Sequence, residues 1–337
     1  MLLLLVKEYC IIYFFHVKEF FFVSLVSLAL CCIYYSTLCS LSVNRFILYG
    51  YFNFMLLNCS INEYIKIFLF ELFPTILRNS ISIGMIPDSF TLGNVLKASI
   101  QGSYLMKVSQ IHAFVIQLGF GSHNILTGSL IDAYAKCGSV RSANHIYKSM
   151  LKKDTISCTA LITGYAREGN CSRDALDLFS EIHQMHLGID EVILCSMLNI
   201  CANTASLGLG RQVHALALKY QPRFDVAMGN ALVDMYAKSG EIEEATRVFY
   251  EMEDKNVISW TSLIAGYGKH GYGHKAIALY KKMEYEGLKP NDVTFLSLLF
   301  ACSHSGLTGE GWECFNNMVG KYNILPRAEH YSCMVDL

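Results

Sequence analysis

The sequence is poor in the residues that mark several large classes of protein. Charged residues make up 16% of the 337 positions, and 27 lysines and arginines are balanced by 28 aspartates and glutamates. The chain therefore lacks the excess of positive charge that drives non-specific binding to nucleic acids. It has only 5 prolines, which excludes collagen-like and proline-rich sequences. The 53% of hydrophobic residues instead predicts a folded protein with a large core.

Motifs with metal-ligand spacing are also absent. The 13 cysteines contain no C-x-x-C pair, and no other cluster of ligands with zinc spacing is visible. We expect the cysteines to be reduced and to behave as small apolar residues. The sequence thus predicts neither a metal site nor a cofactor.

The first sixty residues differ from the rest of the chain. They carry five charges, and residues 20–44 carry none, so this stretch is long enough to span a bilayer as a helix. A secretory signal or an organelle transit peptide fits less well, because the apolar region is long and the first arginine is Arg45. An apolar segment created by an error of gene prediction is a further alternative.

An internal repeat organises the remaining residues. Four segments align without gaps: LIDAYAKCG, LITGYAREG, LVDMYAKSG and LIAGYGKHG, which end at Gly138, Gly169, Gly240 and Gly271. The first and third are 102 residues apart, and so are the second and fourth, which indicates a unit of three unequal repeats. A third type of segment recurs at 90–99, 192–201 and 293–302. This pattern predicts seven repeats within 89–327: 89–123, 124–154, 155–190, 191–225, 226–256, 257–291 and 292–327. A degenerate repeat is predicted before them at 61–88, and residues 328–337 form the start of another repeat after them.

Each repeat has the pattern of two helices. In 226–256, Leu232, Val233 and Tyr236 fall on one helical face, and Gly240 is placed to end that helix. Ala245, Val248 and Phe249 then define the apolar face of a second helix. A hairpin this short cannot bury its apolar faces alone, but stacked hairpins can. The predicted fold is therefore all-α, a right-handed α-solenoid with a long concave surface.

These repeats resemble the pentatricopeptide repeats of land plants, and specifically the PLS subclass, in which short, standard and long repeats alternate. The resemblance rests on the LIxxYxKxG helix, the QxHA segments at 110–113 and 212–215, and the run HYSCMVDL at 330–337. It covers residues 89–337. The resemblance implies sequence-specific binding of single-stranded RNA in organelles, with one base read by each repeat through its fifth and last residues.

Transferred to this chain, the code residues form pairs. Thr159 and Asp190 resemble a guanine reader, and Thr261 and Asn291 resemble an adenine reader. Asn230 and Asn256 resemble a pyrimidine reader, for cytosine rather than uracil. Gly128 with Asp154 departs from the pattern because glycine has no side chain to donate or accept. The long repeats have Gly93, Cys195 and Leu296 at the fifth position and follow the code weakly. The expected RNA is n-n-G-n-(C/U)-A-n, read 5′ to 3′ in chain order.

The resemblance also implies that the second residue of a repeat packs against the face of the base. Ile125, Ile156, Ala227 and Ile258 occupy this position. A structural interpretation exists beside the functional one, because Asp190, Asn256 and Asn291 also suit the cap of a helix N-terminus. Both roles are compatible in one residue. His112 and His214, 102 residues apart, are expected to pack between repeats rather than to bind a metal.

Many relatives in this subclass specify sites of C-to-U editing, and some carry a zinc-dependent deaminase domain with H-x-E and P-C-x-x-C motifs. Neither motif occurs here, and the sequence stops within a short repeat, so we expect a chain truncated before such a domain and without enzymatic activity. Editing factors or a deaminase would then act as partners in trans. A mitochondrial location is expected from the resemblance, with the chloroplast as the alternative.

Two other classes of function stay open. The near-neutral charge is compatible with a protein-interaction scaffold that does not bind RNA. The apolar stretch at 20–44 and the interrupted last repeat are compatible with membrane association or with a non-functional fragment.

Overall fold

The computed structural model describes residues 87–101, 104–169, 172–220 and 225–337. The chain divides into two compact units, Met1–Leu72 and Phe73–Leu337, and every described residue belongs to the second unit. The expectations for residues 1–60, and for 61–86 of the degenerate repeat, lie outside the described residues. Among the described residues, no helix is long and apolar enough to cross a membrane.

All regular secondary structure in the described residues is helical. A 3₁₀ turn at Phe120–Ser122 follows the second helix, and a π-helical turn at Asn317–Lys321 follows the fourteenth. The α-helices, numbered along the described chain, are α1 Ser89–Gln101, α2 Leu105–Gln117, α3 Asn124–Lys136, α4 Val140–Ser149, α5 Thr155–Glu168, α6 Ser172–Gln184, α7 Glu191–Asn203, α8 Leu207–Tyr220, α9 Val226–Lys238, α10 Ile242–Glu251, α11 Val257–Lys269, α12 Gly273–Tyr285, α13 Asp292–Ser305, α14 Thr308–Asn316 and α15 Ala328–Val335.

The helices form hairpins that stack along one direction. An odd-numbered helix begins at the first residue of each of the seven repeat ranges given above, and an even-numbered helix packs against it. Each odd-numbered helix also packs against the odd-numbered helices before and after it, from α1 to α15. The odd-numbered helices therefore form one continuous layer of the stack, and we refer to them as the inner row. The predicted all-α solenoid is confirmed.

Close approach within the inner row depends on small residues. A Cβ atom added to Gly164 of α5 would lie 2.9 Å from the Cβ of Ala135 in α3. Gly266 of α11 stands in the same relation to Ala237 of α9, again at 2.9 Å. The two contacts are 102 residues apart, so the three-repeat unit recurs in the packing as well as in the sequence. A larger side chain at either glycine would force the neighbouring helices apart.

The core of each hairpin comes from the faces that the periodicity identified. Leu232, Val233, Ala245 and Phe249 have no exposed surface. The recurring tyrosines of the inner row are also buried: Tyr134, Tyr165, Tyr236 and Tyr267. They are part of the core between hairpins, so they do not form an exposed stacking surface.

Prolines and glycines delimit the hairpins. Pro87, Pro290 and Pro326 each lie two residues before an inner-row helix, where a helix cannot continue through them. Gly240 follows α9 with a φ of 94°, which a residue with a Cβ atom adopts only with strain. The chain therefore reverses direction sharply between the two helices of a hairpin.

A cluster of hydrogen bonds ties α12 to the turn after α14. Oε1 of Glu284 accepts hydrogen bonds from the Tyr280 hydroxyl at 2.8 Å, the Lys321 ammonium at 2.8 Å and the Tyr322 hydroxyl at 2.5 Å. Burial opposes ionisation, but the bonds from Lys321, Tyr322 and Tyr280 hold the pKa of Glu284 below its usual value of 4.5. The charged carboxylate therefore stabilises the contact between these two repeats.

Candidate nucleic-acid interface

An exposed apolar side chain occurs at the second residue of the inner-row helices. Ile125 is 79% exposed, Ile156 is 76% exposed and Ile258 is 59% exposed, and Ala227 is also exposed. The row continues through the long repeats with three residues that the sequence interpretation did not single out: Phe90, Val192 and Val293. Their common distance from the helix start was the signal that could have identified them. We call these seven residues the second-residue row.

In five inner-row helices, from α5 to α13, the last residue of the preceding repeat caps the helix N-terminus. Asp190 accepts a hydrogen bond from the backbone N–H of Ile193 at 2.8 Å, and Asn291 accepts one from Thr294 at 2.9 Å. The capping interpretation raised by the sequence is therefore correct. The other caps of this kind are Asp154, Asp225 and Asn256, with cap distances of 2.8, 2.8 and 3.1 Å. In Asp190 the cap uses only Oδ1, which leaves Oδ2 for a further contact.

Thr159 and Asp190 form a direct pair. The Thr159 hydroxyl lies 3.1 Å from Oδ2 of Asp190, while Oδ1 of Asp190 is the cap acceptor. The same hydroxyl also lies 2.8 Å from the carbonyl oxygen of Thr155. A hydroxyl has one proton, and both of these neighbours accept it. The pair therefore presents only hydrogen-bond acceptors to its surroundings.

Asn230 and Asn256 also form a direct pair. The Asn230 amide nitrogen donates to Oδ1 of Asn256 at 3.3 Å, and Oδ1 of Asn256 accepts the backbone N–H groups of Ile258 and Ser259. Oδ1 of Asn230 is buried and has no hydrogen-bond partner among the described residues. Because that acceptor is buried, the pair presents to its surroundings the amide group of the exposed Asn256.

Thr261 and Asn291 are joined through a third residue. The Thr261 hydroxyl is 2.7 Å from the hydroxyl of Thr294, which is 2.9 Å from Oδ1 of Asn291. Thr261 and Thr294 are both buried, whereas Asn291 is exposed. The structure therefore places the two residues of all three predicted pairs within one hydrogen-bond network each.

The remaining fifth positions offer no polar group of this kind. Gly128 is buried, and a Cβ atom added there would lie 3.2 Å from the Ser157 hydroxyl, which has no partner in the described chain. The Cys195 thiol lies 4.0 Å from the sulfur of Met228. Burial, followed by the nearby carboxylates of Glu191, Asp225 and Asp190, raises the pKa of Cys195 to about 12, so this thiol stays neutral. These repeats lack a charged or strongly polar group at the fifth position.

A basic residue occupies the last turn of four inner-row helices. Lys136, Arg167, Lys238 and Lys269 are each the thirteenth residue of their repeat. Lys136 pairs with Asp132 at 2.7 Å, and Lys238 pairs with Asp234 at the same distance. Such residues complement the negative end of the helix dipole. The sequence analysis did not single out this recurring position.

The two recurring histidines pack against tyrosines. Nδ1 of His112 lies 3.2 Å from the Tyr134 hydroxyl, and Nδ1 of His214 lies 2.9 Å from the Tyr236 hydroxyl. Burial lowers the pKa of both histidines. In the described part of the chain no group of three or more His, Cys, Asp or Glu residues could hold a metal ion.

Comparison with family models identifies the repeats. A model described as PPR repeat matches residues 127–155, 156–187, 230–257 and 293–322. A second, described as PPR repeat family, matches residues 255–304. The fold resembles that of the pentatricopeptide repeat protein PPR10 in complex with an 18-nucleotide psaJ RNA element, with a TM-score of 0.69. That comparison covers 78% of this chain and 39% of the other, at 22% sequence identity, so it shows likeness of fold.

Curated relatives carry the same repeats. A pentatricopeptide repeat-containing protein of Arabidopsis thaliana is 52% identical over 269 residues, which cover 80% of this chain and 47% of the relative. Two further Arabidopsis relatives, named mitochondrial and chloroplastic, are 36% and 34% identical and are matched over 40% and 33% of their length. The chain thus spans less than half the length of these relatives. Repeats, fold and relatives agree that this chain belongs to the pentatricopeptide repeat family.

Proposed function

We propose that the chain binds single-stranded RNA in a sequence-specific manner, with one nucleotide at each repeat. The observation that carries the proposal is the recurrence of polar pairs beside exposed apolar residues along the inner row. Unstacked bases expose both a flat face and a polar edge, and single-stranded RNA is recognised through these two features. The second-residue row would contact the faces, and the pairs Thr159–Asp190, Asn230–Asn256 and Thr261–Asn291 would contact the edges.

The hydrogen-bonding character of each pair supports a particular base. Thr159 and Asp190 present acceptors only, which suits the N1–H and N2–H donors of guanine. Thr261 and Asn291 combine a hydroxyl with an amide, which suits a base with one donor and one acceptor, such as adenine. Asn230 and Asn256 are both amides, and the longer side chain at the fifth position leaves space only for a smaller base, a pyrimidine. The proposed RNA is n-n-G-n-(C/U)-A-n.

The repeat that contains Gly128 and Asp154 would bind a nucleotide without selecting strongly between bases. The same is proposed for the long repeats. The second-residue row continues through these repeats with Ile125, Phe90, Val192 and Val293. Contacts with base faces tolerate any base, because every base has a π-face. These repeats would therefore keep the spacing of the RNA while leaving their nucleotides unspecified.

The phosphates need positive charge, and the basic last-turn residues of four inner-row helices would supply it. Lys136, Arg167, Lys238 and Lys269 lie at the same position in four of the seven hairpins. Phosphate contacts give affinity and register without reading sequence. Four such residues on a chain of net charge −1 predict modest, salt-dependent affinity, so base contacts should dominate selectivity.

We further propose that this recognition serves RNA processing in an organelle, with C-to-U editing as the leading role. The support is the alternation of repeat lengths typical of the PLS subclass, together with relatives named mitochondrial or chloroplastic. The chain would locate the RNA, and an editing factor or a deaminase acting in trans would supply the chemistry. A mitochondrial role is the first choice and a chloroplast role the second.

The near-neutral charge supports a second candidate, a scaffold that binds other proteins through the same inner row. Binding of the full chain to two short RNAs separates the candidates. One RNA carries G-n-C-A at the proposed spacing, and the other carries the same bases in scrambled order. A sequence-reading solenoid binds the first about tenfold more tightly. Equal binding, or none, supports the scaffold.

A further inference from the structure

Thr294 lies at the centre of the network that joins Thr261 to Asn291. It is the third residue of α13, and its side chain has no exposed surface. Its hydroxyl lies 2.7 Å from the Thr261 hydroxyl and 2.9 Å from Oδ1 of Asn291, and it accepts the backbone N–H of Asn291 at 3.3 Å. A residue outside the proposed reading pair therefore contacts both members of that pair.

The proton count fixes the direction of this network. Oδ1 of Asn291 carries no hydrogen, so the single proton of Thr294 must be donated to it. The short contact between the two hydroxyls then requires Thr261 to donate to Thr294. Thr261 has no other hydrogen-bond acceptor in the described contacts, so its outward face offers lone pairs only. Oδ1 of Asn291 is also held by the backbone N–H of Thr294 at 2.9 Å, which turns the Nδ2 amino group away from the helix.

Comparison with the other caps indicates that an asparagine cap, unlike an aspartate cap, requires a neighbouring hydroxyl. Asn256 forms the same reciprocal cap with Ser259, again the third residue of the next helix. Asp190 has Ile193 at that place, and Thr159 bonds directly to its carboxylate. A carboxylate has two equivalent oxygens, both acceptors, whereas an amide has a donor end and an acceptor end. Only the amide needs an additional group to fix its orientation and that of its partner.

We infer that Thr294 is a positioning residue for base selection at the 257–291 repeat. Its hydroxyl makes Thr261 an acceptor and leaves Asn291 a donor, which matches the N6 amino group and N1 of adenine. Guanine has the opposite order at these two atoms, an acceptor at O6 and a donor at N1, so it is disfavoured. The inference rests on the proposed function, because it assigns a cause to the preference for adenine at the sixth nucleotide.

The test uses the full chain and two RNAs that differ only at the sixth nucleotide, A or G, within UUGUCAU and UUGUCGU. The native chain should prefer A by about tenfold. Thr294→Val, which keeps the shape and removes the hydroxyl, should reduce that ratio to about threefold or less. Thr294→Ser should retain the native ratio. Ser157→Ala is the matched control, because Ser157 is also a third residue but its hydroxyl has no partner in the described chain.

Two further measurements keep the result interpretable. The melting temperature of Thr294→Val shows whether the fold survives, and if it does not, Thr294→Ala replaces it in the same assay. In an Asn291→Asp background the preference should move to G, and adding Thr294→Val should leave that new preference unchanged. A folded Thr294→Val protein with the native A-to-G ratio overturns the inference alone. A native chain without any preference for A overturns the proposed reading of this repeat together with the inference.

Discussion

Asp190→Asn separates the structural role of the last residue of a repeat from its proposed role in base reading. Asparagine and aspartate are about equally good helix caps. The bond to the backbone N–H of Ile193, now 2.8 Å, should therefore persist, and the melting temperature should stay within about 1 °C. Asp190→Ala is the contrasting variant, because it removes the cap and should cost about 1 kcal/mol of stability.

The expected change in base preference follows from the acceptors of the pair. In the native chain Oδ2 of Asp190 would accept from guanine, and a hydrogen bond to a charged group contributes about 1.5–3 kcal/mol. Asp190 is exposed, so we take the lower end, which is about tenfold in favour of G over A. With asparagine the pair gains a donor, but Ile193 supplies no hydroxyl to orient the amide, so a weak neutral hydrogen bond of about 0.5 kcal/mol should favour A by about two- to threefold.

Fluorescence anisotropy with labelled RNAs that differ only at the third nucleotide measures this reversal, and circular dichroism measures the melting temperature. The sixth nucleotide serves as an internal control, since its preference should not change. If the Asn variant melts like the native chain and still prefers G, or if neither protein distinguishes the two bases, the assignment of Asp190 to base reading is wrong.

Three other variants test further parts of the structure. Gly128→Thr places a hydroxyl near the unpartnered Ser157 hydroxyl and completes a Thr–Asp pair with Asp154, so the second nucleotide should become G by about tenfold, scored with RNAs that vary there. Glu284→Gln should lower the free energy of unfolding by about 1 kcal/mol at pH 7. Because the pKa of this carboxyl is lowered by folding, its contribution is present above pH 4.5 and is lost as the pH falls below that value, so urea titrations of the two proteins should converge in acid. Ile156→Ala should weaken RNA binding by about fivefold without changing base preference or melting temperature, because Ile156 is 76% exposed and would contact only the base face.

The fold was predictable because its determinants repeat. The apolar faces, and the glycine that ends the first helix of a hairpin, recur in several repeats with the 102-residue period. Such recurrence is not expected by chance. The close contact between Gly164 and Ala135 was not predictable in the same way. It depends on which faces of two sequence-distant helices meet, and periodicity within one helix does not specify that.

The proposed site was predictable only in part. The family frame located the code residues, and helix-capping rules gave Asp190, Asn256 and Asn291 their structural role. Thr294 was missed because its importance comes from contacts on both sides across the junction of two repeats. The regular basic residues were missed for a different reason: in a sequence, a last-turn lysine that balances the helix dipole cannot be told from one that would meet a phosphate.

The most direct test of sequence-specific reading is selection from random RNA. The full chain is incubated with a pool of oligonucleotides that contain a randomised window, and the bound fraction is sequenced. We expect enrichment of G, of C or U, and of A at the third, fifth and sixth of seven consecutive nucleotides, with no enrichment at the other four. Recovery of unenriched sequences, or of a motif with different spacing, would contradict the assignment of one nucleotide to each hairpin.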